Sequence, residues 1–206
     1  MTADILLAFT GFAFVTSVTP GPNNMMLLAS GVNHGFRRTI PHMLGVSIGF
    51  VLMVVLVGLG LGQLLEANPT VYGVLKIVSL VYMVWLAWRI ATSGPIAGEP
   101  GESSGRPMTF IEAALFQWVN PKAWAMALTA TAAYTTPANF LPSLLLMGLI
   151  FGIINLPSVG VWTLCGVGLR RLLQTPRFVQ IFNVSMAILL IVSMLPAVLA
   201  AFSGRG

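Results

Sequence analysis

Thr19-Pro20-Gly21-Pro22-Asn23-Asn24 stands inside an otherwise apolar run over residues 5–32. Pro20 and Pro22 each remove a backbone donor and clash with a carbonyl one turn back, and Gly21 between them permits dihedrals closed to other residues. A helix entering from Ile5 therefore breaks here, with bare carbonyls before the break and bare N–H groups after it. Inside a membrane such groups are tolerated only where they are buried in protein or face a water-filled cavity. The half-helix that starts near Asn23 also turns its positive end into the break, which suits an anionic group. A kink serving helix packing alone is the rival reading; two prolines around a glycine, followed by two amides, weigh against it.

The surroundings of the break are built for lipid. Of 206 residues 57% are hydrophobic and only 7% charged, against roughly 25% charged in a soluble domain. The charges are clumped, leaving residues 5–36, 39–65, 123–169 and 178–204 without any. A spanning helix needs about 20 mostly apolar residues. The pattern predicts an all-α membrane protein with six transmembrane helices, over residues 5–32, 40–61, 71–90, 110–134, 140–169 and 178–202. Barrel strands would alternate apolar and polar over about ten residues, and these runs do not. The start Met1-Thr2-Ala3-Asp4 has no basic stretch of a cleaved signal, so the first apolar segment is expected to be retained.

Charge sorts the connections. Arg37 and Arg38 follow the first span, a long Gly-, Ser- and Pro-rich loop from Arg89 follows the third, and Arg170, Arg171 and Arg177 follow the fifth. The second connection carries Glu66 with no base before Lys76, and the fourth carries no charge. Lys and Arg mark the cytoplasmic side, so the odd connections are expected inside and both termini outside. Trp85 and Trp88 fit an aromatic belt at the inner face, while Asp4 and Glu112 fall at span ends in contact with water. Net charge of +5 thus reads as topology, and nucleic acid is not an expected partner.

The two halves repeat. Val18, Pro20, Met25, Leu27 and Ala29 recur in register as Val119, Pro121, Met126, Leu128 and Ala130, and Gly45 and Gly49 match Gly148 and Gly152 after a short insertion. Three spans per half oblige the second copy to enter the membrane from the opposite side. That predicts one domain over residues 1–206 built as two inverted three-helix repeats with broken first helices. The first repeat covers about 1–92, a cytoplasmic loop about 93–109, and the second repeat about 110–206.

The counterpart of the first break is Asn120-Pro121-Lys122, in the middle of the fourth span. A lysine there costs about 2.5–3.5 kcal/mol on insertion scales, and no span core holds an acid to neutralise it. Two readings stand: a cation awaiting the carboxylate of a substrate, or a lysine held by the carbonyls of the facing break. Asn155-Leu156-Pro157 predicts a third local break, in the fifth span, where Asn155 offers a donor and an acceptor. The candidate substrate-binding residues are therefore Pro20, Gly21, Pro22, Asn23, Asn24, Asn120, Pro121, Lys122 and Asn155. Lys76 is close enough to its span end to snorkel, and His42 reads as an anchor near the inner interface.

These motifs carry a resemblance. Thr19-Pro20-Gly21-Pro22-Asn23, then Gly35-Phe36-Arg37, Gly45, the Lys76, Tyr82, Trp85 and Trp88-Arg89 pattern and Asn120-Pro121-Lys122 resemble the LysE/RhtB family of bacterial amino-acid exporters over nearly the whole chain. Asn23-Asn24, His34-Gly35-Phe36-Arg37 and Val84-Trp85-Leu86-Ala87-Trp88-Arg89 look most like its cysteine and O-acetylserine branch. Ser79 and Ala87 stand where glycines are common, and both are small enough to keep close packing. The resemblance implies export across the bacterial cytoplasmic (inner) membrane, driven by proton exchange. A small-molecule amino-acid substrate and membrane lipid are the expected partners; self-association stays open.

Other classes fit less well. Without a core carboxylate the site suits neutral amino acids better than lysine or arginine. An inorganic-ion or metal-ion transporter would call for core acids or clustered soft ligands, and an intramembrane enzyme for a paired base or a His-Glu-x-x-His arrangement. Neither is present, so no enzyme activity, no metal and no cofactor is expected. The single Cys165 excludes an intrachain disulfide and is expected to be a small buried apolar residue.

Overall fold

A computed structural model describes residues 1–92, 106–135, 139–170 and 175–202. Among them the chain is helical and has no strand. The helices are α1 (Ala3–Val18), α2 (Pro22–Leu56), α3 (Gly62–Glu66), α4 (Pro69–Ala91), α5 (Phe110–Phe116), α6 (Pro121–Tyr134), α7 (Phe140–Arg170) and α8 (Pro176–Phe202). A wide turn over Val57–Leu61 joins α2 to α3, and a tight turn over Gln117–Val119 ends α5. Three described stretches are long and apolar enough to cross a membrane, Pro22–Leu64, Gly73–Ala91 and Phe140–Arg170; Ala3–Val18, Phe110–Val119 and Arg177–Val192 are shorter apolar helices.

The first of these stretches is folded back on itself. Gly35 has φ 77° and ψ 172°, a conformation for which a glycine is needed. Ser30 Oγ and Thr39 Oγ1 lie 2.9 Å apart although nine positions separate them. Nine residues of straight helix would hold them about 13 Å apart along the axis. The chain therefore reverses at Gly35, which separates the expected first and second spans by a one-residue turn instead of a loop. Arg37 and Arg38 flank that turn, and Arg170 Nη1 is 4.0 Å from where a Gly35 side chain would begin.

Close backbone approach builds the rest. A Cβ on Gly31 would overlap the Thr163 carbonyl oxygen and one on Gly166 the Leu28 carbonyl oxygen, so α2 and α7 touch backbone to backbone. Gly49 meets Ala114 Cα of α5 at 2.6 Å in the same sense. Between apolar helices in lipid there is no hydrophobic drive, and such close packing supplies the attraction instead. The repeat partners Gly148 and Gly152 meet only methyls of Val51 and Val55, at 3.4 to 3.5 Å, so matching glycines do different jobs in the two halves. Rings of Phe9 and Phe50 stand edge-on to Phe151 at 5.1 and 5.0 Å, pairs contributing about 0.5–1.5 kcal/mol each. On the other side α4 packs on α8 through Met83, Leu86, Met186 and Leu190.

Three expectations are corrected. α7 runs unbroken through Pro157, because its neighbours hold the helix on either side and Asn155 is satisfied from outside it. His42 is not an interfacial anchor: it is 2% exposed and buried in the α2 wall. Cys165 is exposed, on the face of α7 turned away from α2. Trp85 and Trp88 are exposed as expected, with the Arg89 guanidinium 5.1 Å over the Trp85 ring. The Lys76 side chain and the loop over residues 93–105 lie outside the described residues.

Candidate functional site

The first break has a simple local cause. A residue before proline is driven out of the helical region, and Thr19 (φ −63°, ψ 146°) and Gly21 (φ −177°, ψ 177°) are both extended. Gly21 therefore occupies a conformation open to any residue, contrary to the expectation of unusual dihedrals. Its glycine makes room for the lysine as placed: a Cβ there would lie 2.6 Å from Lys122 Cδ and 3.1 Å from its Nζ. The second break repeats the rule, with Asn120 extended before Pro121 and its Oδ1 accepting from Lys122 N at 3.1 Å as the cap of α6.

The two breaks meet. Lys122 Nζ donates to Thr19 O at 2.8 Å, Thr19 Oγ1 at 2.9 Å and Pro20 O at 3.3 Å. Asn24 Nδ2 donates to Ser17 O at 2.9 Å and Thr19 O at 2.8 Å, and Trp162 Nε1 to Val18 O at 3.1 Å. Every carbonyl from Ser17 to Pro20 thus receives a side-chain donor, which answers the accounting that a broken helix demands. The N–H side differs. The first bond of α2 runs from Met25 N to Gly21 O at 3.0 Å, and among the described residues the N–H groups of Asn23 and Asn24 make none. The carbonyl side of the break is thus satisfied, and its N–H side is not.

A small cavity of about 20 Å³ lies at this junction, lined by Gly21, Asn23, Asn24, Asn120, Lys122 and Asn155 together with Ser17 and Phe50. Six of the nine candidate residues thus share one wall; Pro20, Pro22 and Pro121 shape the breaks without lining it. Asn155 reaches it from an intact helix, accepting from Ser47 Oγ at 3.0 Å and donating to Ser17 Oγ at 3.5 Å. Among the described residues no carboxylate lines the cavity. The lysine held by the carbonyls of the facing break is what the geometry displays, with all three ammonium donors engaged.

Sequence reasoning passed over Gln117. It is fully buried and exchanges two bonds with Asn23, Asn23 Nδ2 to Gln117 Oε1 at 2.8 Å and Gln117 Nε2 to Asn23 Oδ1 at 3.2 Å. The available signal was an amide one turn before Asn120 in an apolar helix, since buried amides are almost always bonded. Thr19 stood in the quoted motif without being named as a site residue, and Ser17 and Trp162 were missed, since nothing in their local sequence marks them.

Apolar helices of spanning length, with two interrupted ones meeting at a polar cavity, define a membrane transporter. Residues 14–200 match the LysE family, described as LysE type translocator, and the chain belongs to that family. A cysteine/O-acetylserine efflux protein of Klebsiella pneumoniae is 32% identical over 173 residues, 84% of this chain and 87% of the relative. Proteins of the same description from Escherichia coli and Shigella sonnei are each 30% identical over 195 residues, 93% of this chain and 96% of the relative. No solved structure matches the chain.

Proposed function

We propose that this translocator exports small neutral amino acids or their derivatives, of the cysteine and O-acetylserine kind, across the bacterial cytoplasmic membrane in exchange for protons. The observation that carries the reading is the junction itself: one ammonium and one open helix N-terminus face a small cavity without a carboxylate. That arrangement suits the carboxylate every amino acid carries and offers nothing to neutralise a basic side chain. The names of the curated relatives point to the same substrates. Pro20-Gly21-Pro22-Asn23-Asn24, Asn120-Pro121-Lys122 and Asn155 form the site. The carboxylate competes with Thr19 and Pro20 carbonyls for Lys122, and the Asn23 and Asn24 N–H groups take its second oxygen. Release of labelled amino acids from proteoliposomes tests this. Cysteine, O-acetylserine, threonine or homoserine should leave at least tenfold faster than lysine, and export should stop when the proton gradient is collapsed. Lysine or arginine as the best substrate overturns the substrate class; full-rate export without the gradient overturns the coupling.

The same reading takes the chain as two inverted three-helix repeats with the breaks near the bilayer midplane. It is supported by the pairing of α2 with α7, of α4 with α8, and of one break with the other. The clustering of Arg38, Arg89, Arg106 and Arg170 near the Gly35 turn supports a cytoplasmic placement of that end. Reporter fusions should place Gly98 in the cytoplasm and Gly206 outside; both on one side would remove the inverted arrangement.

A further inference from the structure

A second cleft, of about 180 Å³, opens beside the Gly35 turn between the first half of α2, the end of α4 and the start of α5. It is distinct from the break cavity, and no residue lines both. Asn23 on the wall of the break cavity pairs with Gln117, and the neighbouring Phe116, 2% exposed, has its ring 5.8 Å from that of Tyr82 on the cleft wall.

The wall of this cleft holds buried polar atoms that nothing among the described residues satisfies. His42 is 2% exposed, and neither Nδ1 nor Nε2 has a partner. Asn33 donates to Ala29 O at 2.9 Å and Asn183 Oδ1 at 3.4 Å, while its own Oδ1 is buried and unpaired. A neutral imidazole offers one donor and one acceptor, and an amide oxygen accepts. Three such atoms on one wall run against the near-complete pairing of buried polar groups in native proteins. Charges of both signs complete the wall: the Arg89 guanidinium, and the Glu112 carboxylate, which accepts from Arg106 at 2.5 and 2.6 Å. Met26, Leu86 and Met108 supply an apolar side.

We infer that this cleft is a second binding site, for a zwitterionic α-amino acid, from which the break cavity is loaded. The inference rests on the export reading and adds to it where the substrate first binds. The substrate carboxylate meets Arg89 and the ring N–H of His42, the ammonium meets Asn33 Oδ1 and Glu112, and a small side chain lies against Met26 and Leu86. Charge of both signs across one cleft selects a zwitterion over a simple anion or cation.

Equilibrium binding of radiolabelled O-acetyl-L-serine to the full chain in lipid nanodiscs, with export from proteoliposomes, tests it. The wild-type chain should bind two equivalents, Lys122→Met one, His42→Phe one, and the double variant none. His42→Phe should also raise the half-saturating concentration for export at least tenfold while the maximal rate changes less than twofold. Phenylalanine has a similar volume and leaves no unpaired ring nitrogen, so the thermal midpoint should not fall. Arg89→Gln carries the same two readouts should His42→Phe fail to fold. One equivalent in the wild type, with half-saturation unmoved in the variants, overturns the inference and leaves the cleft to water, while the export reading stands. Neither binding nor export of any amino acid by the wild type removes the export reading, and this inference with it.

Discussion

Lys122→Met should abolish export while the protein still inserts and folds. Two energies oppose each other in the fold. Losing the ammonium removes three charge-assisted bonds to Thr19 and Pro20, worth about 1.5–3 kcal/mol each. It also removes a charge whose insertion costs about 2.5–3.5 kcal/mol. The insertion term offsets part of the loss, and Thr19 O keeps its bond from Asn24 Nδ2 at 2.8 Å. The thermal midpoint in detergent should therefore fall by less than the three bonds alone would imply. In transport nothing offsets the loss: truncating one partner of a buried charge pair costs about 2–5 kcal/mol, or about thirtyfold to several-thousandfold in rate. Membrane yield, thermal midpoint and efflux rate, measured on one preparation, separate the outcomes. If Lys122→Met inserts normally and exports at the wild-type rate, Lys122 is a clasp on the end of α1. The search for the carboxylate site then moves to Asn155 and Lys76.

Asn24→Leu has no such offset and should lose stability as well as transport. Its amide nitrogen is shared between Ser17 O and Thr19 O, and Asn24 is 4% exposed, so water cannot replace it. A buried carbonyl left bare costs about 1–3 kcal/mol. Ser17 O loses this donor outright, while Thr19 O retains Lys122. Combining Asn24→Leu with Lys122→Met strips Thr19 O of both. The pair should therefore be worse than the sum of the singles by about 0.5–3 kcal/mol, read as a further drop in thermal midpoint and in folded yield. Additivity within about 0.5 kcal/mol would show that the two side chains do not hold the same break.

Both predictions draw on features that were unequally visible in the sequence. The breaks were legible because they are local chemistry: Pro20, Pro22 and Pro121 act on their own and neighbouring residues whatever the surroundings. Spanning length and lipid-facing composition were legible for the same reason. Pro157 shows the limit of that logic, since α7 continues through it. A proline followed by helix-compatible residues can be absorbed where neighbouring elements support the freed groups.

By itself the sequence determined an all-helical chain, the positions of its two interruptions, the unneutralised lysine between them and the absence of acids in the span cores. Each follows from residue type and spacing along one strand of chain. Only the tertiary structure decided which donor met which carbonyl. Lys122 reaches Thr19 across 103 positions and Asn23 reaches Gln117 across 94, and no local pattern encodes such distances. It also decided that Gly21 makes room for the Lys122 stem and does not serve its own dihedrals, that one glycine suffices to turn α2 back, and that His42 is buried without a partner among the described residues. The physical reason is common to all three. Backbone preferences are set within a few residues, whereas the space around a side chain and the pairing of a buried polar atom are set by whichever helices pack against it.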